Sequence, residues 1–252
     1  MTEYWNLTSA EVVDAVSDGT LVLPFGATEQ HGPHLPLNVD SVLAEEFATA
    51  LAARLDGTVL PVQSIGARSM PQSGGGLAFP GTLYVPGEIL IGYVRELLRS
   101  VARLPFRRLI VLNGHFENEG LLFEALDQLC QDGPLADREV LSFSWWSLVD
   151  EEWIRAQADF PGWHAEHAGH TETSLMLHLR PDLVRDVRPD HDHPPHAGVY
   201  AHPVDVTKAS TDGVLSRTSA AGADAGKQLF EHVVARAAAL VGDGFGVLTT
   251  HE

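Results

Sequence analysis

Short aliphatic runs alternate with amphipathic segments along most of this 252-residue chain. An aliphatic run bounded by turn residues is typical of a buried strand, whereas apolar residues at helical spacing are typical of a helix that packs on it. Strands that alternate with helices predict an α/β fold with a mostly parallel sheet and helices on both faces. The pattern predicts strands at 20–24, 58–62, 109–112 and 139–146, and helices at 11–17, 41–55, 89–104, 120–131 and 221–241.

Composition limits the possible classes of function. A hydrophobic content of 44% suffices for one sizeable core, and no linker-like stretch divides the chain, so we expect a single domain over 1–252. The 16 basic and 34 acidic side chains give a formal net charge of -18. This balance argues against a nucleic-acid partner and polyanionic substrates, but it is compatible with small neutral or cationic ones.

The sequence also lacks signals for membranes and for secretion. It contains no apolar run of the roughly 18 residues that a membrane span needs, and its first residues lack the basic and apolar regions of a signal peptide. A single cysteine, Cys130, rules out an internal disulfide and fits a reducing compartment. We therefore expect a cytoplasmic protein without a membrane partner, in which Cys130 packs on a helix face.

Two metal-ligand side chains follow the predicted strand 109–112. The segment 113–118 reads Asn-Gly-His-Phe-Glu-Asn and contains His115 and Glu117. Ligands of open α/β sheets bind outside the carboxyl ends of the strands, and imidazole and carboxylate groups bind metals such as zinc. Alternatively, the segment is only a turn in which Asn118 caps the next helix.

A second polar loop follows the predicted strand 20–24. Glu29 and His31 lie two residues apart, a spacing that lets a tight loop present both to one point. At the end of the loop, Asp40 directly precedes the predicted helix 41–55. Considered alone, Asp40 is best explained as the N-cap of that helix.

The five side chains of the two loops together indicate a site for two metal ions. If Asp40 bridges, each ion has three protein ligands and keeps an open position, which is typical of catalytic sites. Nitrogen and oxygen donors without a thiolate suit Zn²⁺ or Mn²⁺. Such a pair of ions polarises a carbonyl group and activates water. The predicted ligands are Glu29, His31, Asp40, His115 and Glu117.

Other stretches give weaker signals. The glycine-rich stretch 64–81 is either a flexible connector or a loop whose bare backbone approaches a small ligand, and it lacks the lysine of a phosphate-binding loop. The stretch 162–173 is rich in histidine, and His178 after it fits a helix surface or core better than a metal site. The histidines of 190–196 fit an exposed loop, although a histidine-rich tract can also bind metal.

These segments together resemble the creatininase (creatinine amidohydrolase) family, from Thr20 to the terminal helix. Many members have Asn-Gly-His-Gly-Gly-Asn at 113–118, so that Glu117 makes this chain similar to the creatininase branch. The most specific motifs are Gly-Ala-Thr-Glu-Gln-His-Gly at 26–32, Ser-Gly-Gly-Gly at 73–76, the 113–118 segment and Glu-Thr-Ser-Leu-Met-Leu at 172–177.

The resemblance implies a three-layer αβα sandwich, usually assembled as a homohexamer, and it distributes the ligands between the ions. Glu29, Asp40 and His115 would hold one ion. His31, Asp40 and Glu117 would hold the other.

The resemblance also implies a substrate pocket beside the ions. Trp163 and Ser73 would line it, and Trp146 would be a mobile gate. Glu166 and His167 would lie beside the metals, with His167 as the proton shuttle. A planar heterocycle can stack on an indole face, and an imidazole that titrates near neutrality can protonate a leaving nitrogen.

Three residues depart from the creatininase pattern near the expected pocket. Phe116 stands in place of a tyrosine, His164 stands in place of an aspartate, and His170 is foreign to the pattern. These departures leave the predicted metal ligands intact but bear on the identity of the substrate.

The expected function is therefore a dinuclear metal-dependent amidohydrolase that converts creatinine to creatine. Alternatives are a related enzyme for another cyclic amide or imide, or one for a linear formamide or peptide. A non-catalytic, acidic metal-binding protein is a further alternative, and the scarcity of basic residues disfavours a phosphoesterase.

Overall fold

A computed structural model describes residues 1–70, 79–131, 133–155, 160–193, 196–199, 202 and 210–242 of the protein. Within these ranges, a parallel sheet of five strands carries helices on both faces, which confirms the predicted three-layer α/β architecture. The described helices are all too short or too polar to cross a membrane.

The main sheet has the strand order β1-β3-β2-β6-β7, and β4 and β5 form a separate pair. The described strands are β1 (Thr2–Glu3), β2 (Thr20–Phe25), β3 (Thr58–Val59), β4 (Gly66–Ala67), β5 (Tyr84–Val85), β6 (Arg108–Asn113) and β7 (Glu139–Ser144). The described α-helices are α1 (Val12–Val16), α2 (Val39–Leu55), α3 (Gly87–Val101), α4 (Glu119–Gln131), α5 (Glu151–Arg155), α6 (His170–Leu179) and α7 (Ala223–Gly242).

The central strands are apolar on both faces because both faces are covered. Along β2, Val22 packs in the core formed with α2, α6 and α7, whereas Leu21 and Leu23 pack in the core formed with α3 and α4. Fully burying one such side chain contributes about 1.5–3 kcal/mol. Uninterrupted apolar strands of this kind are typical of parallel sheets between two helical layers.

Several elements end at other residues than the sequence predicts. β3 ends at Val59 rather than residue 62. The Leu60 N–H still donates to the Val22 carbonyl at 2.8 Å, but the next ladder bond would have to come from Pro24 of β2, which has no N–H. For the stretch 64–81 the sequence predicts only a loop, but β4 lies within this stretch and β5 lies just after it.

The interpretation of Asp40 as a helix cap is wrong, and Asn118, although it directly precedes α4, uses its side chain to bond other loops. α2 begins at Val39 with Asn38 at the N-cap, so Asp40 lies inside the first turn. The Asn118 side chain accepts a hydrogen bond from the Ala67 N–H (2.8 Å) and donates one to the Gly26 carbonyl (3.0 Å). Its amide therefore ties two loops together.

Three neighbouring strands end in register at one edge of the sheet. Phe25 of β2 pairs with Asn113 of β6, and Asn113 pairs with Ser144 of β7. The chain continues from β2 to β3 on one side and from β6 to β7 on the other. The topological switch point therefore lies between β2 and β6, where open α/β sheets bind ligands.

Gly114 brings the loop after β6 against the first turn of α2. Its N–H donates to the Phe25 carbonyl at 2.8 Å, and a Cβ atom at this position would overlap the Asp40 carbonyl oxygen. Only glycine permits so close an approach of two backbones. The turn therefore places the side chain of the next residue, His115, beside Asp40.

We expect Gly114→Ala to lower the free energy of unfolding by about 1–3 kcal/mol, because the added methyl group overpacks the contact with α2. Gly92→Ala is the matched control, since a Cβ atom at Gly92 has no neighbour within 4 Å and alanine in mid-helix is about 0.5–1 kcal/mol more favourable than glycine. Urea unfolding with equal m-values measures both changes. Equal free energies of unfolding in the two variants would contradict the packing argument.

Candidate metal centre

His115 lies at the centre of one cluster of donor atoms. Its Nδ1 atom is 3.1 Å from Glu29 Oε2 and 3.0 Å from Asp40 Oδ2. Asn113 shapes the turn that presents it, because the Asn113 amide accepts from the His115 N–H (3.1 Å) and donates to the His115 carbonyl (2.8 Å). All of these side chains are buried.

His31 lies at the centre of a second, adjoining cluster. Its Nε2 atom is 3.1 Å from Asp40 Oδ1 and 3.7 Å from Glu172 Oε2. Its Nδ1 atom lies 3.1 Å from the Glu29 carbonyl oxygen. The two carboxylate oxygens of Asp40 thus face two different imidazoles, which is the arrangement that a bridging ligand requires.

The donor atoms suit divalent cations. Within each of the triads Glu29–Asp40–His115 and His31–Asp40–Glu172, one ligand atom per residue lies within 4.8 Å of the others. Glu29 Oε1, His31 Nε2 and Asp40 Oδ2 are buried and, among the described residues, have no hydrogen-bond partner in good geometry. Buried polar atoms without partners are costly, and a cation bound between these atoms would remove that cost.

Glu172 was missed as a ligand candidate in the sequence. It lies in the first turn of α6, and its Oε2 atom also accepts the Ala168 N–H at 2.7 Å. The sequence offers one signal for it, a carboxylate that opens a helix after a histidine-rich loop. Its approach to His31 depends on the packing of α6 against α2, which the sequence pattern does not reveal.

Glu117 lies on the other side of the His115 ring. Its Oε2 atom is 3.3 Å from His115 Nε2, and its Oε1 atom accepts the Met70 N–H at 2.9 Å. Glu117 belongs to neither triad among the described residues, although it lines the same cleft as Glu29 and Asp40.

The electrostatics of the cluster favour protons on the imidazoles when no cation is bound. Burial opposes ionisation, but the neighbouring carboxylates outweigh it and raise the pKa values of His31 and His115. For Asp40, burial is again outweighed, and the two imidazoles hold its pKa below the usual range. Burial dominates at Glu29 and raises its pKa to about 7.

Aromatic side chains form the other wall of the cleft. Phe116 and Trp146 stack with ring centroids 6.1 Å apart, and Trp163 packs edge-on against Trp145 at 5.5 Å. The structure thus brings Phe116, Trp146, Trp163 and His164 to the cleft that also contains the donor atoms. Ser73 lies outside the described residues.

Glu166 and His167 line the same cleft but have different surroundings. Glu166 accepts hydrogen bonds from the Thr171 N–H (2.5 Å), the Thr171 hydroxyl (2.8 Å) and the Ser216 hydroxyl (2.8 Å). Burial raises its pKa to about 7 against these donors. Burial and the nearby His31, at a ring-centroid distance of 4.5 Å, lower the pKa of His167.

A protein family and several known proteins are similar to this chain. The model of the Creatininase family, described as creatinine amidohydrolase, matches residues 5–241. The chain is 37% identical over 225 residues to creatinine amidohydrolase from Pseudomonas putida, covering 86% of each chain. It is also 37% identical over 174 residues to the mycofactocin precursor peptide peptidase of Mycobacterium tuberculosis, covering 67% of this chain and 62% of that protein.

Solved structures show the same similarity. A mutant creatininase complexed with creatine has a TM-score of 0.90 and 35% identity, covering 97% of this chain and 98% of that chain. A manganese form and a mutant of Zn–Zn type both have a TM-score of 0.89.

We expect metal binding at pH 7 to release roughly two to three protons per chain, because the raised pKa values keep His31 and His115 protonated in the metal-free protein and leave Glu29, with a pKa of about 7, partly protonated. The apparent affinity should rise with pH, and proton release should fall once the pH exceeds these pKa values. Titration with Zn²⁺ by calorimetry in buffers of different ionisation enthalpy counts the protons. Asp40→Asn, which removes the shared carboxylate charge, should bind less metal. Stoichiometric binding without proton release would contradict the expectation.

Proposed function

Because the chain belongs to the creatininase family, we propose that it hydrolyses a small cyclic amide, with creatinine to creatine as the leading reaction. As a family member it is a hydrolase of carbon–nitrogen bonds that uses divalent metal ions, Zn²⁺ or Mn²⁺. One observation supports a small cyclic substrate: aromatic side chains line the cleft that contains the donor atoms.

The ligand roles are part of the proposal. Glu29, Asp40 and His115 would hold one ion, and His31 and Asp40 would hold the other, together with a carboxylate. The family resemblance implies Glu117 as that carboxylate, and the distance of 3.7 Å between His31 Nε2 and Glu172 Oε2 supports Glu172 as well. When bound, the ions supply Lewis acidity toward an amide carbonyl and a lowered pKa for water.

The aromatic wall would bind and orient the ring of the substrate. Trp146 and Phe116 already stack on each other, and a planar heterocycle can be held by the same offset stacking. Trp163 is fixed from behind by Trp145 and Phe160, with ring centroids 5.5 and 4.7 Å away. A rigid wall of this kind keeps the scissile amide in place beside the donor atoms and excludes water.

His167 would transfer the proton. Its lowered pKa keeps the imidazole neutral near pH 7, so that it can take a proton from the attacking water and then give it to the leaving nitrogen. We assign Glu166 a supporting role: three donors already occupy its carboxylate, which therefore anchors the loop that carries His167.

A linear peptide is the second candidate substrate. A cavity of about 560 Å³ lined by Arg68, Tyr84 and Leu121 adjoins the cleft and shares Glu117 with it. It has room for substrate groups beyond a single ring. The similarity to a peptide peptidase over 174 residues points in the same direction.

A substrate panel separates these candidates. Protein loaded with Zn²⁺ or Mn²⁺ should open creatinine or another lactam, hydantoin or imide, and should leave formamides and short peptides unchanged. His167→Gln should lower kcat by roughly 100-fold or more and keep the metal content. Turnover of peptides alone would support the second candidate, and turnover of neither group would contradict the proposal.

His170, the third departure from the creatininase pattern, lines a separate small cavity with Trp153 and Leu229 and not the cleft, contrary to the expectation. We therefore expect the other two departures, Phe116 and His164, to set the preference among cyclic substrates. Phe116→Tyr with His164→Asp should raise kcat/KM for creatinine relative to neutral imides by roughly 10-fold or more, because a buried hydrogen bond to a charged group contributes about 1.5–3 kcal/mol. Phe123→Tyr is the control, since Phe123 is 64% exposed on α4. An unchanged ratio in the double variant would exclude these positions as specificity determinants.

The proposed catalytic unit is the single domain 1–252, assembled as a homohexamer. Light scattering coupled to size exclusion measures the assembly directly.

A further inference from the structure

His34 is a buried histidine that the proposed reaction does not use. It follows Glu29 and His31 in the loop after β2 and is fully buried. Its Nε2 atom lies 2.9 Å from the hydroxyl oxygen of Thr173, which is also fully buried. Because a hydroxyl group can both donate and accept, this hydrogen bond forms with either tautomer of the ring. It joins the loop to the first turn of α6.

The hydrogen bond between His34 and Thr173 lies next to the contact between His31 and Glu172. Glu172 directly precedes Thr173, and its Oε2 atom is 3.7 Å from His31 Nε2. Among the described residues, His34 and Thr173 belong to neither donor triad. Two side-chain contacts therefore connect the same loop to the same helical turn, one between donor residues and one behind them.

Both partners of this hydrogen bond are anchored to other parts of the fold. The His34 carbonyl accepts the Arg185 N–H at 2.8 Å. On the side of the helix, a Cβ atom on Gly226 of α7 would lie 1.9 Å from the Ser174 carbonyl oxygen, so α7 packs directly on the residue after Thr173. The loop and the helical turn thus meet at His34 as two supported segments.

The other contacts of Glu172 and Thr173 are local. Glu172 Oε2 accepts the Ala168 N–H at 2.7 Å, and the Thr173 hydroxyl lies 3.5 Å from the Ala168 carbonyl oxygen. Ala168 belongs to the turn that leads into α6, so these contacts orient the carboxylate within its own segment. The contact with His34 is made to the loop that carries His31, and it therefore bears on the distance between His31 and Glu172.

We propose that His34 is a positioning residue that holds Glu172 within reach of a metal ion bound by His31 and Asp40. This inference rests on the proposed function, in which these two residues and a carboxylate would hold one ion. Hydrogen-bonded partners behind the ligands orient them, and their loss lowers metal affinity by roughly 10- to 100-fold. His34 acts in this way through Thr173 and the helical turn that carries Glu172.

The two proposed ions should depend differently on His34. The first ion, proposed for Glu29, Asp40 and His115, has no ligand on α6, so that its affinity should not depend on this hydrogen bond. The second ion would use Glu172 and should depend on it. A general loss of stability would weaken the binding of both ions, and the ratio of the two affinities therefore separates positioning from a merely structural role.

The test uses variants on both sides of the hydrogen bond. Thr173→Val and His34→Leu remove it, whereas His34→Gln is the conservative variant, because an amide can donate or accept as the imidazole does. Thr58→Val is the matched control: Thr58 is also buried, and its hydroxyl donates to the Ala15 carbonyl at 3.3 Å, beside the start of β2 and away from the cleft. Calorimetric titration of the metal-free proteins with Zn²⁺ gives the two affinities, and elemental analysis counts the bound ions.

We expect Thr173→Val and His34→Leu to bind the first ion as the parent does and the second ion roughly 10- to 100-fold more weakly. His34→Gln should restore most of the affinity for the second ion. Thr58→Val should bind both ions as the parent does.

Unchanged affinities in Thr173→Val would overturn the proposal, and so would an equal weakening of both ions. Glu172→Gln is the second measurement, because an unchanged affinity for the second ion in this variant would show that His34 has no ligand to position. If His34→Leu does not fold, Thr173→Val, which keeps the shape of the side chain, decides the question. If the parent protein turns over no amide, the proposed reaction fails, whereas the Zn²⁺ affinities still decide the role of His34.

Discussion

The bridging position of Asp40 is the constraint on which the rest of the site depends. Its two oxygens face the imidazoles of His31 and His115 at 3.1 and 3.0 Å, and these imidazoles come from loops after different strands. Asp40 can stand there because it lies in the first turn of α2, where the helix dipole favours a carboxylate. Gly26 and Gly114 allow the two loops to pack directly on that turn.

The same arrangement makes the metal-free site electrostatically unfavourable. Carboxylates and imidazoles are buried together, and several donor atoms have no hydrogen-bond partner among the described residues. Protons on the histidines neutralise part of the charge, as the raised pKa values of His31 and His115 indicate. Divalent cations neutralise it better, and a ligand that binds only the folded chain also stabilises the fold.

Much of the fold was predictable because buried parallel strands and amphipathic helices leave clear periodic patterns. Four of the five predicted ligands fall in the donor triads at the shared edge of β2 and β6, and the fifth, Glu117, lies 3.3 Å from His115, since strand ends in register oblige the following loops to meet. Glu172 was not predictable in this way, because its approach to His31 depends on helix packing.

Because β2, β6 and β7 end in register, the structure has a consequence for thermal inactivation. Backbone hydrogen bonding holds neighbouring strands about 4.8 Å apart, and the loops that carry the donor atoms of Glu29 and His115 start from two such neighbours. The spacing between the strands therefore sets the distance between the donor atoms, and this distance is kept as long as the sheet is intact. Heat should accordingly abolish catalysis and tertiary structure in one cooperative event, without a folded but catalytically silent intermediate.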